Sequence, residues 1–110
     1  MIKRLRKCIA RKFVKSTARN TSSLFHEARG LKSEARNAFE RAETAKRCAE
    51  SLEHAKDNGA ANWAREIAAE NSKISSKLNE TARRLEDSIR TRRQSARKIA
   101  RIIAGKRKRT

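Results

Sequence analysis

The chain has 110 residues, thirty of them Lys or Arg against twelve Asp or Glu, for a formal net charge of +18, with no Pro, three Gly, no Tyr and one Trp. That length holds one small domain with a limited core, and abundant Ala, Arg, Lys, Glu and Ser favour long helices. No run approaches the roughly 18 apolar residues of a membrane-crossing helix, and so large a charge opposes compaction unless an anionic partner offsets it.

Residues 1–26 carry Lys3, Arg4, Arg6, Lys7, Arg11, Lys12, Lys15 and Arg19 and no acid. Ile2, Leu5, Ile9 and Phe13 recur at helical spacing, while Arg4, Lys7, Arg11 and Lys15 recur on another side at steps of three, four and four. Residues 1–20 are therefore predicted to form a short basic amphipathic helix. Mitochondrial transit peptides share these traits, but the segment is expected to be retained. Residues 16–23, Ser-Thr-Ala-Arg-Asn-Thr-Ser-Ser, are predicted to be a joint, with Ser22 or Ser23 capping the next helix.

From Leu24 the apolar positions are Ala28, Leu31, Ala35, Ala38, Ala42, Ala45, Ala49 and Leu52, in alternating steps of four and three. That is a heptad seam, and because it is mostly Ala it buries little area per residue but permits close helix approach. It predicts a helix over 21–57, with Gly30 a weak point of up to about 1 kcal/mol relative to Ala. The break is expected at Asp57, Asn58 and Gly59, where Gly suits the left-handed residue after a helix and Asn or Asp the next cap. A second helix over 60–104 is predicted with its seam on Ala60, Ala64, Ile67, Asn71, Ile74, Leu78, Thr81 and Leu85, continuing through Ser88, Arg92, Ser95, Ile99 and Ile102. Polar Asn71 is a candidate register-fixing residue.

A short turn between long helices makes them antiparallel neighbours. The expected fold is all-α: one domain, 1–110, built as a long antiparallel helical hairpin, coiled-coil-like with an Ala-rich seam, plus the short N-terminal helix. Doubling back brings residues 1–20 beside residues 90–110, and there the charge is concentrated. Residues 27–59 hold seven bases and seven acids, residues 60–89 hold five of each, and residues 90–110 hold ten bases and no acid. Arg90, Arg93, Arg97 and Arg101 repeat the cationic stripe, and Ala96, Ile99, Ile102 and Ile103 form an apolar side expected to pack on Ile2, Leu5, Ile9 and Phe13. The tail, 105–110, adds Lys106, Arg107, Lys108 and Arg109, a string like a nuclear-localisation signal.

The candidate site is thus Lys3, Arg4, Lys7, Arg11, Lys12, Lys15, Arg90, Arg93, Arg97, Lys98, Arg101, Lys106, Arg107, Lys108 and Arg109. An ordinary solvated face would mix both signs, and these ends do not. Arrays of cations with few aromatics or amides for reading bases point to a non-enzymatic architectural protein that binds DNA or RNA through backbone phosphates with little sequence preference. One alternative is a small part of a virion or ribonucleoprotein that contacts mainly protein subunits or its own copies. Another is peripheral attachment to an anionic membrane through Ile2, Leu5, Ile9 and Phe13, which accounts for only half of the charge.

Trp63 lies near the turn, far from the basic ends, and reads as a packing or partner-contact residue rather than a base-stacking platform. His26 and His54 stand alone, and no phosphate-cradling Gly loop, paired carboxylates or Ser, His and Asp set is visible. No catalytic residue, metal ion, cofactor or small-molecule substrate is therefore expected. Cys8 and Cys48 are forty positions apart and read as reduced thiols, which fits an intracellular setting (cytoplasm, nucleoid or nucleus) or the inside of a virion rather than secretion.

Overall fold

The computed structural model describes residues 2–105, which form two helices, α1 (Ile2–His54) and α2 (Asn58–Ile103). The joint expected at 16–23 does not form: the basic N-terminal segment is the first part of α1, and no separate helix stands there. The physical reason is local. Residues 16–23 contain neither Gly nor Pro, and Thr17 and Thr21 continue the four-and-three spacing of the seam. Thr21 is buried, and its hydroxyl donates to the Thr17 carbonyl at 2.8 Å, so this polar stretch satisfies itself within the helix.

The helices pack as two compact units. One gathers the described residues of Met1–Ala28 and Arg84–Thr110; the other is Arg29–Arg83.

In the Arg29–Arg83 unit the chain reverses through a helix stop followed at once by a helix start. The Asp57 N–H donates to the Leu52 carbonyl and the Lys56 N–H to the Glu53 carbonyl, both at 2.9 Å. This is the double bond of a Schellman ending, and its left-handed residue is Lys56, with φ of 62°. Asp57 then caps α2, its Oδ1 accepting from the Ala60 N–H at 3.2 Å. Gly59, expected as the left-handed residue, instead occupies the first turn of α2. Asp57 decides this, since a carboxylate two residues before Gly59 claims the N-cap and pushes the reversal back to Lys56.

Ala35, Ala38, Ala42 and Ala49 of α1 are buried, as the seam predicted. Those of α2 are Ala61, Ala64, Ala68, Ser75 and Ala82. Half of the predicted α2 seam is therefore one residue out of phase: the buried positions are 68, 75 and 82 rather than Ile67, Ile74 and Thr81, and Ile74 is 45% exposed. Where Ala faces Ala the backbones approach too closely for Ile, so small residues take the line of contact and the Ile side chains stand beside it. Polar groups then cross the seam. The Ser75 hydroxyl donates to the Ala35 carbonyl at 2.9 Å, and Arg41 Nε donates to Asn71 Oδ1 at 3.1 Å. Near the turn Arg65 pairs with Glu53.

In the other unit Ala10, Thr21 and Ala28 of α1 are buried, together with Ile89, Ala96 and Ala100 of α2. The same one-residue shift holds here, 89, 96 and 100 replacing Ser88, Ser95 and Ile99. The apolar stripes expected to cover each other do not. Ile2, Leu5, Ile9, Phe13, Ile99 and Ile102 are all exposed, from 37% at Phe13 to 74% at Ile102. The contact line near these residues is made of the small Ala10, Ala96 and Ala100, and these six larger chains stand beside it.

Candidate functional site

The seam divides this unit into two flanks. Arg11 and Lys15 directly follow the seam residues Ala10 and Val14, and Arg97 and Arg101 directly follow Ala96 and Ala100. Residues that follow the seam on two antiparallel helices share one side, and the structure brings them there. Lys7, Arg11 and Lys15 of α1 line one open recess of about 470 Å³ with Ala100 and Arg101 of α2 and with Ala104 just past its end. Cations some ninety residues apart in sequence thereby become neighbours.

Farther along the same flank Arg90, Arg93 and Arg97 line a second recess of about 260 Å³ with Phe25, Glu86, Ile89 and Gln94. Here the site is mixed in character. Arg90 is exposed but lies 3.8 Å from Asp87. Arg93 is only half-exposed because it occupies the seam itself, where its Nε donates to the Thr21 hydroxyl at 2.9 Å. Arg93, expected from its spacing to belong to the cationic stripe, lines this recess with Arg90 and Arg97 and is at the same time an interhelix strut. Its position four residues after Ile89 and three before Ala96 is the signal that marks it as seam.

Lys3, Arg4, Lys12 and Lys98 are exposed but line neither recess. Lys106, Arg107, Lys108 and Arg109 lie outside the described residues. Arg6, one of the eight N-terminal bases, falls off the cationic stripe and outside the candidate site. A Cβ placed on Gly105 would lie 3.6 Å from Arg6 Nη1, so this guanidinium reaches the C-terminal end of α2, where the exposed carbonyls favour a cation. Gly105 ends the helix in the left-handed conformation, with φ of 77°.

The electrostatics follow from the composition of the unit. Its described residues hold fifteen bases and three acids, a net +12, whereas Arg29–Arg83 holds eleven bases and nine acids. All three acids, Glu27, Glu86 and Asp87, lie away from the first recess, and neither 2–26 nor 88–105 contains another. Among the described residues no group of three or more His, Cys, Asp or Glu is placed to hold a metal ion, and both Cys8 and Cys48 are exposed free thiols. No described helix is long and apolar enough to cross a membrane. Trp63, 64% exposed, stands in the other unit at a recess shared with Cys48 and Ile67, so it is no core residue. No protein family, curated protein or solved structure matches the chain.

Proposed function

We propose that the chain is a non-enzymatic architectural protein that binds nucleic acid through backbone phosphates on the flank formed by Lys7, Arg11, Lys15, Arg97 and Arg101. The observation that carries this is the recess in which Lys7, Arg11 and Lys15 of α1 meet Arg101 of α2 with no acid in its lining. Lys7 to Lys15 spans about 12 Å of helix, a length over which duplex DNA presents roughly seven phosphate charges. Arg supplies paired donors suited to phosphate oxygens. Little base reading is expected, because the recesses of this flank hold one aromatic, Phe25, and one amide, Gln94, among the cations.

The balanced composition of Arg29–Arg83 supports a scaffolding role for that unit. The four-and-three stepping of its buried positions is the packing of a two-stranded, coiled-coil-like pair, with Ala in place of Leu.

Five phosphate contacts give an expected slope of about −4.5 for log affinity against log salt on duplex DNA, or roughly 500-fold weakening from 50 to 200 mM. Binding titrations across a salt series measure it. A nearly flat dependence, or unchanged affinity after joint substitution of Arg11, Lys15, Arg97 and Arg101 by Gln, rules the function out.

Docking to protein subunits of a larger assembly is favoured as a second function by one observation, the exposed Trp63 beside Ile67 and Cys48. Large aromatics at a solvent-facing recess are common anchors of protein interfaces. A Trp63→Ala variant that loses a protein partner but keeps its salt-dependent nucleic-acid affinity would separate the two.

A further inference from the structure

Opposite the cationic flank, the same unit carries a second surface of different chemistry. Ile9 and Phe13 directly precede the seam residues Ala10 and Val14, and Ile99 and Ile102 directly precede Ala100 and Ile103. Because the residues following the seam meet on one side, those preceding it lie together on the other. The second unit obeys the same rule: there Thr44, Cys48, Trp63 and Ile67, each just before a seam position, line one recess. Ile2 and Leu5 extend the apolar row of α1, so six large apolar side chains, every one exposed, occupy a single flank over about 16 Å of α1.

We infer that this flank, formed jointly by α1 and α2, seats the chain on the surface of an anionic lipid bilayer. Charge complementarity selects the occupant. Arg6 and Arg92 stand on the flank itself, and no acid occurs in 2–26 or 88–105, so every charge bordering the apolar side chains is positive. A second copy would bring one +12 unit against another, which repulsion opposes. An anionic interface accepts both features: the Ile, Leu and Phe side chains enter the acyl boundary while Lys and Arg remain among the headgroups. The surface is built from both ends of the chain, so it depends on Ile99 as well as on the N-terminal stripe. It lies across the seam from the cationic recess, leaving that recess open for nucleic acid.

The test uses the full chain with vesicles of phosphatidylcholine alone and with about 30% phosphatidylserine, in co-sedimentation at physiological salt. Expected is binding to the anionic vesicles at least about tenfold stronger than to the neutral ones, and at least about tenfold weaker for the joint variant Ile9→Gln, Phe13→Gln, Ile99→Gln. These positions are exposed, so helical content by circular dichroism should be retained, and duplex affinity should change by less than about twofold. The inference is overturned if the variant binds anionic vesicles as well as the parent, if the parent binds none, or if sedimentation reveals a dimer that the substitutions dissolve.

Discussion

Arg93 Nε donates to the Thr21 hydroxyl at 2.9 Å, and that hydroxyl in turn donates to the Thr17 carbonyl at 2.8 Å, joining α2 to α1 through one buried polar atom. The arrangement separates two arginines that look alike in sequence. Arg93 sits on the contact line, whereas Arg97, four residues on, is exposed on the cationic flank. Arg93→Gln is expected to destabilise the fold by about 1–2 kcal/mol, by loss of a hydrogen bond from a charged donor and exposure of its buried acceptor. It should leave the slope of log affinity against log salt nearly unchanged. Arg97→Gln should do the reverse, reducing the slope by about 0.9 with little change in stability. Denaturation and salt-series binding on the two variants decide it; equal slopes lost by both would return Arg93 to the phosphate site.

At the chain reversal, a non-glycine residue holds the left-handed position although a glycine lies three residues away. Lys56→Gly should stabilise the protein by about 1 kcal/mol, because the left-handed conformation strains any side chain bearing a Cβ. Asp57→Ala should destabilise it by about 1 kcal/mol through loss of the cap on α2. Urea denaturation midpoints at unchanged slope report both. If Lys56→Gly is destabilising, the reversal is built differently.

The phase of the α2 seam makes a paired prediction. Ala82 is fully buried and Thr81 is exposed. Ala82→Leu should therefore overpack the contact line at a loss of about 1–3 kcal/mol, whereas Thr81→Leu should change stability by less than about 0.5 kcal/mol. Thermal melts of the two variants suffice, and the opposite order would restore the phase inferred from bulky residues.

Much of this architecture was readable from residue spacing. The Ala series of 28, 35, 38, 42 and 49 is buried as expected, since on α1 Ala and Leu keep to one four-and-three stripe. The chain reversal near Asp57 was visible in its Asp-Asn-Gly composition, although the residue taking the left-handed φ was not. The segregation of charge, with acid-free stretches at both ends, likewise needs no coordinates.

The sequence alone determined that the chain forms long helices, reverses once and carries its excess charge at its extremities, because propensity, turn chemistry and charge are properties of residues and their neighbours. Only the tertiary structure decided which stripe of α2 faces α1, and so placed Arg93 in the seam, Arg101 beside Lys7, Arg11 and Lys15, and Ile99 and Ile102 on the outer flank. The cause is steric. Where Ala lies on the contact line of both helices their close approach favours small side chains there and leaves Ile74, Ile99 and Ile102 beside it, while Ile89 is still buried farther along the line, a selection that belongs to the pair of helices and to neither one by itself.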